Sequence, residues 1–198
     1  MDLVNKSKYN IILGSGSSRR KELLGMTGIN FSVMSVPVDE SFPDSLQGTE
    51  ISEYIVKNKS KAFNKLIKEN EIIITADTLV WFENKCLGKP KDKKEAKYML
   101  KLFAGKSHDV ITSVAFLTIS NFKILTESTT VIYKNLTDSE IDYYVENVNP
   151  IDKAGSYGIQ DWIGMIGVEH VNGSYTSVLG LPVPQTTNQI IKIINENL

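Results

Sequence analysis

The sequence has 198 residues, 41% of them hydrophobic, enough to bury a full core as a single domain over 1–198 or as two closely packed lobes. Its 22 Lys plus Arg against 23 Asp plus Glu leave a formal net charge of -1, which argues against a stable nucleic-acid partner or an anionic membrane and confines any phosphate recognition to a local site. The one cysteine, Cys86, excludes an intramolecular disulfide, and no apolar run reaches signal-peptide or membrane-spanning length, so a cytoplasmic protein is expected.

In chain order, Ile11–Leu13 read as a buried strand that breaks into Gly14-Ser15-Gly16-Ser17-Ser18 and then a short helix, Arg19–Gly28. A strand, a small-residue turn and a helix start make an anion-binding geometry: free backbone N–H groups and the positive helix end face outward, with Arg19 and Arg20 approaching from the side. The turn matches neither G-x-x-x-x-G-K-[ST] nor G-x-G-x-x-G/A, because Arg19 stands where the third small residue belongs. Phe31–Val36 form a strand leading to Asp39 and Glu40. After the turn-rich 41–48, a helix is predicted from Glu50 to Glu69, with Lys57, Lys59, Lys65 and Lys68 on its wet face.

Ile72–Thr75 read as a short strand ending at Asp77, a carboxylate placed over the same cleft as the Gly14–Ser18 turn if both lie at strand ends. Leu79–Phe82 and Cys86–Gly88 flank a hairpin tip, and Pro90 holds Lys89 in extended chain. Asp92–Phe103 is an amphipathic helix, His108–Ile119 and Lys123–Tyr133 are an antiparallel pair joined at Ser120–Asn121, and a further helix runs from Thr137 or Asp138 to Val148. The segment 150–160 is a turn-rich loop in which Lys153 and Gln160 can reach a phosphate and a base respectively. Ile163–Ile166, His170–Gly173 and Val178–Leu181 read as short strands or turns before a last helix over 185–198, with Ile190, Ile191 and Ile194 inward. This composition and periodicity predict an α/β protein.

Two histidines and one cysteine, widely separated, fail the spacing of a zinc site, and no nucleophilic triad is recognisable. The polar set that remains, carboxylates Glu40 and Asp77 with cations Arg19, Arg20, Lys61, Lys89 and Lys153, suits a triphosphate bound with a magnesium ion. Read this way, a nucleotidyltransferase and a triphosphate hydrolase are both open.

Several separated stretches resemble the Maf family of nucleotide pyrophosphatases, the septum-formation-protein family. Leu13–Leu24 is similar to L-A-S-x-S-P-R-R-x-E-L-L, with Gly14 for alanine and Ser18 for proline; Val38-Asp39-Glu40-Ser41, Lys61-Ala62, Ala76-Asp77-Thr78 and Gly88-Lys89-Pro90 follow. Gly105–Thr112 resembles G-K-T-H-x-V-x-T, Asp152–Gln160 resembles D-K-A-G-A-Y-G-I-Q, and Gly173-Ser174-Tyr175 with Val178–Pro182 match the closing signature. The resemblance implies an elongated mixed-sheet fold of two lobes around a central cleft, similar to inosine-triphosphate pyrophosphatases. It further implies hydrolysis of a nucleoside triphosphate to monophosphate and pyrophosphate with a divalent cation, Mg2+, in the branch acting on dTTP and UTP, and a homodimer. On this reading Ser15, Ser17, Arg19, Arg20, Lys61, Lys89 and Lys153 hold the triphosphate and Gln160 reads the base. Asp77 activates water and Glu40 holds the metal, the reverse or joint division remaining open. A nucleotide-responsive regulatory protein of septum formation is the non-enzymatic alternative.

Overall fold

The computed structural model describes residues 1–196. Its elements in order are α1 (Asp2–Asn5), β1 (Asn10–Leu13), α2 (Ser18–Gly25), β2 (Phe31–Val33), α3 (Thr49–Lys61), β3 (Glu71–Phe82), β4 (Lys85–Leu87), α4 (Lys93–Phe103), β5 (Ser107–Leu117), β6 (Phe122–Tyr133), α5 (Asp138–Val148), two 3-10 turns (Pro150–Asp152 and Ala154–Ser156), α6 (Trp162–Gly167), β7 (Val168–Asn172), α7 (Tyr175–Val178) and α8 (Val183–Asn195). The strands form one mixed sheet in the order β2-β1-β3-β5-β6-β7, with β4 paired to β3. This is the mixed α/β architecture that the sequence predicts.

β3 organises the sheet. It is one continuous strand, not the two pieces predicted on either side of Asp77, so Asp77 lies within a strand instead of at its end. The polar triplet Thr75, Asp77 and Thr78 suggests a break, yet each side chain finds a partner, so the ladder continues. Parallel pairing with β1 covers only Glu71–Ile74, whereas antiparallel pairing with β5 runs from Ile73 to Trp81. β3 therefore projects well past the end of β1, and between the β1 pairing, which ends at Ile74, and the β4 pairing, which starts at Val80, its edge is left beside the Gly14–Ser18 turn.

Two main apolar clusters flank this projection. One gathers Ile11, Leu13, Leu24, Ile72, Ile74, Ile190 and Ile194. The other gathers Val80, Phe82, Leu100, Phe103, Tyr133, Tyr144 and Ile163. In α8 the inward face is Ile190, Ile193 and Ile194, the i, i+3, i+4 set; Ile191, predicted inward, is only half-buried. Positions 197 and 198 of that predicted helix lie outside the described residues.

α3 stops at Lys61, short of the predicted Glu69, because Phe63 turns inward to 1% exposure against Ile12 and Ile73 and the chain tightens into 3-10-like bonds. β2 likewise ends at Val33, freeing Ser35–Val38 to line the cleft. α6 and α7 are helical where strands or turns were predicted; Ser174 caps α7 by accepting from Ser177 N at 3.3 Å. Among the described residues, no helix is long and apolar enough to cross a membrane.

Candidate active site

The alternation of β3 past the end of β1 sends neighbouring residues to opposite faces. Thr75 and Asp77 face α3, where Ser60 Oγ meets Thr75 Oγ1 at 2.6 Å and Lys59 Nζ donates to Asp77 Oδ1 at 2.8 Å. Thr78 points the other way, to Arg20 of α2. Between the two helices opens a cleft of about 610 Å³ whose lining includes the whole Gly14–Arg20 turn.

That turn is held by its own serines. Ser15 Oγ accepts from Ser17 N at 3.3 Å, and Ser17 Oγ accepts from Arg20 N at 3.4 Å, making Ser17 the N-cap of α2. Gly14 N still donates to Ile74 O at 2.7 Å, and a Cβ at Gly14 would lie 2.9 Å from Thr75 Cγ2. The family's usual alanine would thus need Thr75 or Phe63 to shift here.

Arg20 is a clamp. Its Nε donates to Gly180 O at 2.9 Å, Nη1 to Ala76 O at 2.8 Å and to Ser15 Oγ at 3.4 Å, and Nη2 to Thr78 Oγ1 at 3.1 Å. With most of its five N–H donors engaged by the protein, Arg20 shapes the wall from the turn, the strand and the C-terminal segment together. Burial pulls its pKa down, opposed by the charges of Asp77 and Glu40.

The two carboxylates converge on one lysine. Lys59 Nζ lies 2.7 Å from Glu40 Oε1 and 2.8 Å from Asp77 Oδ1, its side chain 15% exposed. Burial raises the Glu40 pKa, but the hydrogen bond and charge of Lys59, with the charges of Lys89 and Arg20, outweigh it and leave the carboxyl below its ordinary value.

Lys59 is expected on the wet surface and Lys61 at the phosphates, whereas the structure puts Lys59 between the two carboxylates and Lys61 outside the cleft lining. Lys61 is exposed, donates to Asn58 Oδ1 at 3.1 Å, and is absent from the cleft lining. The signal was present in the helix period: Ser52, Ile55, Val56 and Ser60 form the buried face, on which Lys59 falls at i+4 from Ile55, whereas Lys61 is about 200° round the helix from Lys59.

Across the cleft, Lys89, Lys153 and Gln160 all line the opposite bank. Lys153 Nζ stands 3.2 Å from Asp152 Oδ1 and 3.5 Å from Asp161 Oδ2, and Arg19 Nη1 reaches Asp152 Oδ2 at 3.9 Å, so Asp152 links the two banks. Gly155, at φ +66°, lies so close to β3 that a Cβ would sit 2.9 Å from Val80 Cγ2, and its N–H donates to Gly88 O at 3.0 Å. This packing fixes the loop beside Lys89. Tyr157, also in the lining, is held from behind by a 2.6 Å hydrogen bond to His108 Nε2.

The residues present fit a hard divalent ion. Glu40 and Asp77 supply two carboxylate oxygens within 2.8 Å of a single cationic nitrogen, while no group of three or more His, Cys, Asp or Glu suited to a metal occurs among the described residues. Two carboxylates with water and phosphate oxygens completing the shell is how Mg2+ is commonly held. Apart from Lys61, every site residue predicted from the sequence borders this one cleft.

The fold and the site together define a mixed α/β protein with a cleft of paired carboxylates and converging cations at the end of a parallel strand pair. The profile described as Maf-like protein matches residues 10–193, and the chain belongs to that family. It is 46% identical over 189 residues to a protein of Bacteroides fragilis named dTTP/UTP pyrophosphatase, covering 95% of this chain and 98% of that one. A Flavobacterium johnsoniae protein of the same name is 43% identical over 187 residues, covering 94% and 96%. Among solved structures, the Ham1 protein of Staphylococcus aureus overlaps 64% of this chain and 72% of its own with a TM-score of 0.44 and 11% identity.

Proposed function

We propose that the protein is a nucleoside triphosphate pyrophosphatase that hydrolyses dTTP and UTP to the monophosphate and pyrophosphate with Mg2+. The convergence of Glu40 and Asp77 on one point beside the Gly14–Ser18 turn carries this reading, because it joins acid–base groups, a hard-metal site and an anion-binding helix start in one cleft. The names of the relatives supply the base and the bond.

In this reading the Ser15 and Ser17 turn and the start of α2 cradle phosphate oxygens, and Arg19, Lys89 and Lys153 neutralise them from the two banks. Arg20 acts mainly through the wall it clamps. Asp77 accepts a proton from the water that attacks the α-phosphorus, the bond to the bridging α–β oxygen breaks, and pyrophosphate departs with its charge met by the lysines. Glu40 and Asp77 hold the ion, which when bound supplies charge neutralisation and Lewis acidity at the phosphates. Gln160 reads the base edge.

The test is turnover of dTTP, UTP, CTP, ATP, GTP and 7-methyl-GTP with Mg2+, following monophosphate and pyrophosphate separately. Preferential cleavage of dTTP and UTP is expected, with Asp77→Asn lowering kcat by about 10²–10⁴-fold while nucleotide still binds. Nucleotide binding without turnover across varied metals would instead make the protein a regulatory binder. Pyrophosphate release that required a phosphorylated acceptor would make it a nucleotidyltransferase.

A further inference from the structure

Lys59 sits where a cation belongs. Its ammonium is the meeting point of Glu40 and Asp77, at 2.7 and 2.8 Å, and is mostly buried between them with its third N–H left over from the pair. Asp77 is 6% exposed and the Glu40 side chain 58%, so without a positive charge at this point a buried carboxylate would face a second, more exposed one across the cleft edge. Lys59 reaches the point from α3, whose buried Ser60 and Ser52 tie it to β3 and β5 through Thr75 and Ser113, so the helix that delivers the ammonium is fixed to the strand that carries Asp77.

Resting on the hydrolase reading above, we propose that Lys59 is a positioning residue that holds the place of the divalent ion. In the nucleotide-free protein its ammonium keeps Glu40 and Asp77 aimed at one point. The ion enters as part of a metal–triphosphate complex, and Lys59 Nζ then shifts its donors from the carboxylates to phosphate oxygens. The protein offers a bare ion only two carboxylates, both already paired to the Lys59 ammonium, which is a poor site for a metal that seeks six oxygens. A triphosphate brings both the missing oxygen donors and new acceptors for the displaced ammonium. The metal is therefore a component of the substrate, not a resident of the protein.

Mn2+ alone is the probe, its free concentration read by electron paramagnetic resonance during titration of nucleotide-free protein. Wild type is expected to bind Mn2+ only in the millimolar range. Lys59→Met should bind at least about tenfold more tightly, by removing the competing charge and leaving both carboxylates, and adding Glu40→Gln should abolish the gain. A slowly hydrolysed dTTP analogue bridged by carbon between the α and β phosphates should draw Mn2+ onto the wild type to a comparable degree. Tight Mn2+ binding by nucleotide-free wild type overturns the proposal without any variant. So does a Lys59→Met, or a Lys59→Gln used if the first fails to fold, that melts as a folded protein yet gains no affinity. The two readings fail separately. Loss of turnover in the nucleotide panel leaves the Mn2+ competition intact, and absence of competition leaves pyrophosphate release intact.

Discussion

His108 is enclosed by aromatic rings, stacked on Phe103 at 4.2 Å between centroids and bonded through Nε2 to the Tyr157 hydroxyl at 2.6 Å. Burial drives its pKa from 6.5 down to about 3, so the native ring stays neutral while the unfolded chain takes up a proton below pH 6.5. The stabilising difference is whole above 6.5 and is lost as pH falls toward 3, at up to about 1.4 kcal/mol per pH unit. Urea unfolding between pH 7 and 5, above most carboxylate titrations, should show this slope in wild type and a flatter one in His108→Gln; equal slopes would refute the assignment. Nothing in the sequence marks His108 as buried, since its partners Tyr133 and Tyr157 lie on distant segments. That Glu40, Asp77, Lys89 and Lys153 border one cleft was legible because carboxylates and cations of this kind suit a shared phosphate site. Lys59 is hidden for a different reason: 57–68 holds five lysines among twelve residues, and only the rotation of α3 decides which one enters the cleft.

At the level of elements, α2 begins with Ser17 as cap and Ser18 at the first helical position, where the family's signature has proline. Proline suits that position because its φ is already helical and the missing N–H has no partner within the helix. Ser18→Pro should stabilise the protein by about 0.4–1 kcal/mol, raising Tm by roughly 1–4 °C in calorimetry. A lowered Tm would mean that the Ser18 N–H is engaged in the turn. Helices with end signals were readable from the sequence: Asp92 caps α4, and Thr137 with Glu140 closes a capping box on α5. α6 and α7, at six and four residues, are too short to show a period, and the end of α3 depended on where Phe63 would find its pocket. The unbroken β3 was hidden because its polar triplet is satisfied by α2, α3 and β5, contacts that local sequence does not contain.

For the whole molecule, β3 belongs to both main apolar clusters, contributing Ile72, Ile74 and Ala76 to one and Val80 and Phe82 to the other. The two clusters are expected to unfold as one unit, because neither can lose β3 without breaking the other's ladder. Calorimetric and van't Hoff enthalpies should agree, and two resolved transitions would show separable domains. Arg20 adds a constraint of another kind. Its acceptor Gly180 O lies 160 residues downstream, and the cluster beneath β1 is completed by Leu181, Ile190, Ile193 and Ile194. A ribosome delivers the glycine–serine turn some 160 residues before the carbonyl that pins Arg20. A nascent chain thus carries nearly every motif of the cleft while lacking its fixed wall, and the site is completed only once Gly180 has emerged.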